Sequence, residues 1–290
     1  MTQPGDTSRG QRDRVEALAR RLAAIEADAG PDPGPNHASG PPRAVSTGVA
    51  SLDATLAGGL RAGAVHEWAG HDMGEGDRPS ASGWSPPVGI LVWLARRALA
   101  SAPGRRAVWI GRAVTPYPAA LAGRVDAGGP RLIERSLLVD ASSAGERVWA
   151  ADLALRCRAV GCVALDGRGL DLACTRRLQL AARAGGGIAL VARPASMARV
   201  PTAAATRWAT RPWVGDEPEP AACAGPRWTV ELLRCKGVQP APEAPRRWVV
   251  EWCCETSDVR VDAGVVDRSR PPAVGSSPAG GPGPGLRLTG

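Results

Sequence analysis

Two spacings of apolar residues alternate along this chain. Between residues 12 and 29, Val15, Leu18, Leu22 and Ile25 recur every three or four positions, with Arg and Glu between them. That spacing predicts an amphipathic helix. Further on, short apolar runs of strand length cover 63–68, 106–110, 137–139, 162–165 and 188–192. Helical stretches over 88–100, 142–160 and 171–184 fall between them. Short apolar strands alternating with helices predict a parallel sheet buried on both faces, here five-stranded. From residue 206 the rhythm changes. Three β-like segments, 206–213, 227–234 and 247–253, follow one another without helices, which predicts an antiparallel extension of the sheet.

The punctuation supports these elements and sets the boundaries. Ser46 or Thr47 is placed to cap a short helix running to Leu56. Ser143 followed by Glu146 is a capping-box pair, and Gly185-Gly186-Gly187 stops the helix before the fifth strand. Residues 30–42 are rich in Pro and Gly and read as a linker. From about 267 the chain is Pro, Gly and Ser, the composition of a disordered tail. The expected organisation is a helix with its linker (1–42), an α/β domain (43–266) and a tail (267–290).

Composition narrows the setting. Hydrophobic residues make up 44% of the 290 positions, enough for a sizeable core. No apolar run approaches the roughly 18 residues that span a bilayer, and the polar N-terminus lacks a signal-peptide core. The expectation is a cytoplasmic protein without membrane contact. Seven Cys, an odd number with no C-x-x-C pair, argue for free thiols rather than structural zinc. Metal binding by His66-Glu67 with His71-Asp72 would need the loop to fold back on the strand end, so the expected reading is a strand His beside a loop His and no metal. The net charge of +8 is carried almost wholly by Arg, with Lys236 as the single Lys. A basic balance permits nucleic-acid contact without establishing it.

Several motifs resemble a known family. Ser46-Thr47-Gly48-x-x-x-Leu52-Asp53, Gly58-Gly59-Leu60 and Gly63-Ala64-Val65-His66-Glu67 resemble the opening of the RecA recombinase core. Five further features are similar to one branch, the ImuA proteins, also labelled RecA-like or SulA-like. They are Trp149, Ala154-Leu155-Arg156-Cys157, Arg176-Arg177-Leu178-Gln179-Leu180-Ala181-Ala182, Ala203-Ala204-Ala205-Thr206-Arg207-Trp208, and Trp228-x-x-Glu231-Leu232-Leu233-Arg234. The resemblance covers about 43–255. It implies a RecA-like core and a place in a bacterial damage-inducible mutagenesis cassette. In that cassette a polymerase-like ImuB-type protein and an error-prone C-family DNA polymerase carry synthesis across lesions.

The resemblance also sharpens the candidate chemistry. A strand, a Gly-rich loop over 70–87 and a helix are the framework of a phosphate-binding loop. Gly70, Gly74, Gly76, Ser82 and Gly83 lie in that loop, which contains no Lys. Gly111-Arg112-Ala113 after the second strand offers no carboxylate to activate water. Asp166, ending the fourth strand, matches the metal-supporting Asp of RecA. This describes a degenerate nucleotide site with no cofactor and no catalysis. After the fifth strand, Arg199, Arg207, Trp208, Arg211 and Trp213 correspond to a DNA-binding region of RecA, and suit single-stranded DNA or, for the Trp residues, the core. Arg234 and Lys236 resemble the pair with which RecA reaches a neighbouring subunit's nucleotide, and suggest an interface. The stripe Val15, Leu18, Leu22 and Ile25 must lie in a groove on its own domain, a second copy or a partner, and the linker after it favours a groove on another molecule. Two other readings remain: a divergent RecA-type ATPase, and a SulA-like inhibitor of cell division.

Overall fold

The computed structural model describes residues 4–28, 43–72, 83–213, 225–238, 244–253 and 258–261. The expected linker, the tail, and Gly74, Gly76 and Ser82 of the loop lie outside them.

The first helix, α1 (Pro4–Asp28), precedes a small pair of strands, β1 (Ala44–Val45) and β2 (Leu60–Arg61), that brackets α2 (Ala50–Thr55). Next come β3 (Ala64–Ala69), a hairpin of β4 (His71–Asp72) and β5 (Trp84–Ser85), and α3 (Val88–Ala100). The chain continues through β6 (Arg106–Ile110), β7 (Ser136–Val139), α4 (Ala144–Arg156), β8 (Val160–Asp166), α5 (Leu172–Gly185) and β9 (Ile188–Arg193). It ends in β10 (Thr206–Pro212), β11 (Arg227–Cys235), β12 (Arg247–Cys253) and β13 (Asp258–Val261).

Nine of these strands form one sheet in the order β13-β12-β11-β10-β3-β9-β8-β6-β7. From β3 to β6 the chain steps towards the β7 edge, and from β7 through β8 to β9 it steps back. Right-handed crossovers therefore put α3 on one face and α4 and α5 on the other. The buried residues divide accordingly. Trp68, Trp93, Leu94, Trp109 and Trp208 share one core, and Val65, Val108, Leu155, Val163 and Leu178 the other. Among the described residues no helix is long and apolar enough to cross a membrane.

Three features depart from the sequence reading. The segment 206–213 was expected in the antiparallel extension, but β10 runs parallel to β3, with Thr206 opposite His66 and Ala209 opposite Ala69. The parallel core thus has six strands, and antiparallel pairing starts at β11. Parallel neighbours need a crossover of about a dozen residues, usually a helix. Residues 194–205 supply that length with only a single 3-10 turn, so no helical periodicity announced it. Second, Ser46 and Thr47 do not cap α2, whose N-cap is Val49. Their hydroxyls and the Thr47 amide donate instead to the Asp53 carboxylate at 2.6–2.8 Å, pinning the turn from inside the helix. Third, a strand beyond the expected segments, β13, pairs with β12 and makes the third antiparallel strand at that edge. The Ser143–Glu146 capping box is present as expected.

A polar relay ties β2, β3 and β10 together. The Trp208 indole N–H donates to Thr206 Oγ1 at 2.8 Å, and Thr206 Oγ1 lies 2.8 Å from His66 Nδ1. His66 Nε2 sits 3.0 Å from the Arg61 carbonyl, which can only accept. The His66 proton is therefore on Nε2, and the Thr206 hydroxyl donates to Nδ1. Burial of the ring, opposed by the Arg61 carbonyl bond, pushes its pKa down to about 4. An unfolded His titrates near 6.5. Between those values only the unfolded chain binds the proton, so stability falls as pH drops from about 6.5 towards 4, by up to ~3 kcal/mol. We expect thermal midpoints measured across this window to fall steeply for the native chain and less for His66→Gln. Equal slopes would show that His66 is not the titrating group.

Candidate functional site

The chain on either side of the expected phosphate-binding loop is tied down. The loop's first glycine, Gly70, follows β3, and its amide donates to the Arg193 carbonyl at 2.7 Å. The following segment returns as the β4–β5 hairpin, with His71 opposite Ser85. A Cβ on Gly70 would lie 2.2 Å from the Ser85 carbonyl oxygen and 2.9 Å from the Trp84 ring. Only glycine allows this closure, and Trp84 is buried against it. Gly83 precedes Trp84, away from any close neighbour.

The start of α3 offers fewer amides than an ordinary helix. Its N-cap is Pro87, preceded by Pro86, and neither proline has an N–H to offer. The Val88 amide is used by the Pro86 carbonyl at 2.8 Å. Gly89 faces Trp228 of β11 so closely that a Cβ would meet the indole at 2.8 Å. A helix N-terminus attracts phosphate through free amides. Here the two prolines supply no amide and that of Val88 is used, while Trp228 packs against the side of the first turn at Gly89.

Asp166 ends β8 as expected, but its carboxylate is taken. The Arg168 guanidinium donates to it from Nε at 3.0 and 3.2 Å and from Nη2 at 2.7 Å, and the Arg168 amide adds a bond of 3.2 Å. Asp166 is buried, and the pairing raises the Arg168 pKa above its ordinary range. Arg147, from α4, crosses the same strand ends. It donates to the carbonyls of Asp166, Ser142 and Arg168 at 2.9, 2.6 and 2.7 Å. Two arginines therefore stand at the carboxyl ends of β6 and β8, where doubly wound sheets usually take a ligand.

The segment after β9 is organised by a buried carboxylate. Glu67 of β3 accepts from Thr202 Oγ1 at 2.7 Å and from Arg207 Nε at 2.9 Å. Arg193 makes ion-pair contact with it at 3.0 Å and donates to the Leu170 carbonyl at 2.9 Å. Burial lowers the Arg193 pKa, and Glu67 opposes that shift. Arg207 also donates to the Ala198 carbonyl and, at 2.5 Å, to that of Val200.

This cluster revises the expected DNA surface. Arg207 and Trp208 are interior residues. Trp208 is fully buried and stacks on Trp68 with ring centroids 5.0 Å apart and planes 4° from parallel. Strand alternation puts Arg207 on one face and Trp208 on the other, and both faces of β10 are covered. Arg199, Arg211 and Trp213 are exposed. Arg234 and Lys236, expected at an interface, bond within the chain. Arg234 reaches the carbonyls of Thr202 and Ala204 at 3.4 and 3.2 Å, and Lys236 that of Ala203 at 3.1 Å. Three cations thus fasten the 194–205 crossover.

The α1 stripe is likewise used within the chain. Leu18 and Leu22 are buried in the same core as Leu155 and Cys157, while Val15 and Ile25 are half-buried. Glu26 accepts from the Arg158 amide at 3.0 Å. The groove expected on another molecule is the side of α4 and the turn that follows it. An apolar stripe announces only that it will be covered, and docking at home needs no partner. Sequence reasoning missed Glu67, Arg147, Arg168 and Arg193. A signal existed for Glu67 and Arg193: a charge inside or closing an apolar strand requires a buried partner.

The chain is similar to Protein ImuA of Caulobacter vibrioides strain NA1000 / CB15N and to Protein ImuA of C. vibrioides strain ATCC 19089 / CIP 103742 / CB 15. Each is 31% identical over 211 residues, which is 69% of this chain and 82% of the relative. No model of a known protein family matches the chain.

Proposed function

Because this chain belongs to the ImuA family, we propose that it is a non-catalytic, RecA-like accessory of damage-induced, error-prone translesion DNA synthesis. It acts in the cytoplasm through contacts with a polymerase-like ImuB-type protein and an error-prone C-family DNA polymerase. The observation that supports the non-catalytic part is the Asp166 carboxylate already held by Arg168, beside a loop without Lys. A divergent ATPase would need Arg168 to move and a cation from elsewhere. Calorimetry with magnesium and ATP should therefore give no binding heat up to about 1 mM ligand. A dissociation constant in the low micromolar range would overturn this reading. A division inhibitor is separated by phenotype: expression should raise damage-induced mutation without filamentation.

Single-stranded DNA is a second contact in this reading, held by Arg199, Arg211 and Trp213. Their exposure supports it, since cation and indole together hold single strands without sequence preference. Binding of oligothymidylate should weaken steeply with salt. Trp213→Ala should cost roughly 1–3 kcal/mol of binding at an unchanged thermal midpoint. Full binding by a folded Arg211→Ala/Trp213→Ala chain would remove this surface.

A further inference from the structure

The outer face of α5 carries a basic stripe with an aliphatic residue in it. Arg176, Leu180 and Arg183 stand at i, i+4 and i+7, so they share one side of the helix. All three are exposed, Leu180 to 61%. The two flanks of α5 differ. Towards α4, Arg177 is paired with Asp152 at 3.1 Å. Towards β3, Gln179 bonds the Gly63 carbonyl and the Val65 amide, both at 3.0 Å, and Gly63 lies against the backbone of Ala182 and Arg183. This brings Arg61, two residues before Gly63, to the same flank.

Lys236 reaches that flank from β11. Its Nζ donates to the Ala203 carbonyl, and the Ala203 amide donates to Thr175 Oγ1 at 3.1 Å, next to Arg176. Burial, followed by the charges of Arg234 and Arg61, lowers the Lys236 pKa, and Arg176 adds to the effect. Among the described residues no ion pair or side-chain hydrogen bond neutralises Arg61, Arg176 or Arg183.

We propose that this face, Arg61, Arg176, Leu180, Arg183 and Lys236, docks an acidic amphipathic segment of a partner protein. Charge complementarity selects an anionic occupant. Leu180 distinguishes a peptide from a nucleic acid. Single strands are held by aromatic stacking, whereas a peptide helix places an aliphatic anchor on the apolar residue and its carboxylates on the surrounding arginines. The proposal deepens the accessory reading by giving its protein contact a surface and a chemistry. It involves neither Gly70 and Asp166 nor Arg199, Arg211 and Trp213.

The test uses the full chain and a short synthetic helix bearing Leu on one stripe and Glu on both flanks, followed by fluorescence anisotropy. Two control peptides replace Glu by Gln, or Leu by Ser. The Glu/Leu peptide should bind at micromolar concentration, and each control about tenfold more weakly. Arg176→Glu with Arg183→Glu, and separately Leu180→Ser, should each weaken the Glu/Leu peptide about tenfold at an unchanged thermal midpoint. Three results would overturn the proposal: no binding of the Glu/Leu peptide, equal binding of the Ser control, or binding unaffected by either variant. So would oligothymidylate that binds more tightly than the peptide and is lost in the double Glu variant, which would make this a nucleic-acid face. ATP calorimetry and the Arg211/Trp213 measurements are read independently, so failure here leaves the accessory reading standing.

Discussion

Glu67→Ala should cost about 3–5 kcal/mol of stability, the range for removing one partner of a buried ion pair. Glu67 and Arg193 are almost fully buried, and Arg207 is close to it. Removing the carboxylate leaves two guanidinium groups in the interior with no anion between them. The carbonyls of Leu170, Ala198 and Val200 still accept hydrogen bonds, but they do not neutralise charge. The loss should appear as a lower urea midpoint, followed by the fluorescence of the stacked Trp68–Trp208 pair. Glu67→Gln keeps the shape and two acceptor lone pairs and should still lose most of this stability, because charge is the missing quantity. A loss below about 1 kcal/mol in both variants would mean that the arginines escape to solvent.

The second large effect concerns α1. Leu18→Asp with Leu22→Asp places two carboxylates on a surface made of Leu155, Cys157 and their neighbours. The helix should undock, since a single helix of this kind is marginal in water. Two readouts follow. The thermal midpoint should fall by several degrees, and the Cys157 thiol should become accessible. Cys157 is buried, with Sγ 3.9 Å from the Leu22 carbonyl, and burial pushes its pKa up. Alkylation located by peptide mapping should accelerate at Cys157 on the order of tenfold or more, with little change at Cys162, which lies inside β8. An unchanged midpoint and a still-protected Cys157 would favour a helix that docks on another molecule.

The parts of this fold that follow from local chemistry could be read from the sequence. The strand runs, the Ser143–Glu146 box and the Gly186 stop each depend on a few adjacent residues. Whether β10 lies parallel or antiparallel to its neighbour depends on where a crossover lands, and the residues 206–212 are the same in either case. The absence of a loop Lys was equally legible, but the packing of Trp228 on the first turn of α3 was not. Trp228 lies 139 positions from Gly89 in the numbering, and no spacing rule joins them. The same applies to Arg207. Beside Trp208 it looked like half of a nucleic-acid contact, and only the pairing of β10 with β3 brought it to Glu67. Asp166 stands at the expected strand end, while the Arg168 that occupies it was an unremarked loop residue two positions on.

The place of β3 in the sheet has a consequence for how the chain comes to be folded. Of the nine sheet strands it is the first to be synthesised, yet its two neighbours, β9 and β10, belong to the far half of the chain. The bond from Arg207 to Glu67 spans 140 positions. Long-range closure of this kind loses loop entropy before any contact compensates for it, and it slows folding. While the ribosome is still making the middle of the protein, β3 has no sheet partner and Glu67 has no counter-ion. The carboxylate then stays hydrated on an unfinished strand. It enters the interior only when β9 and β10 deliver its two arginines, so completion of the domain is timed by its C-terminal half.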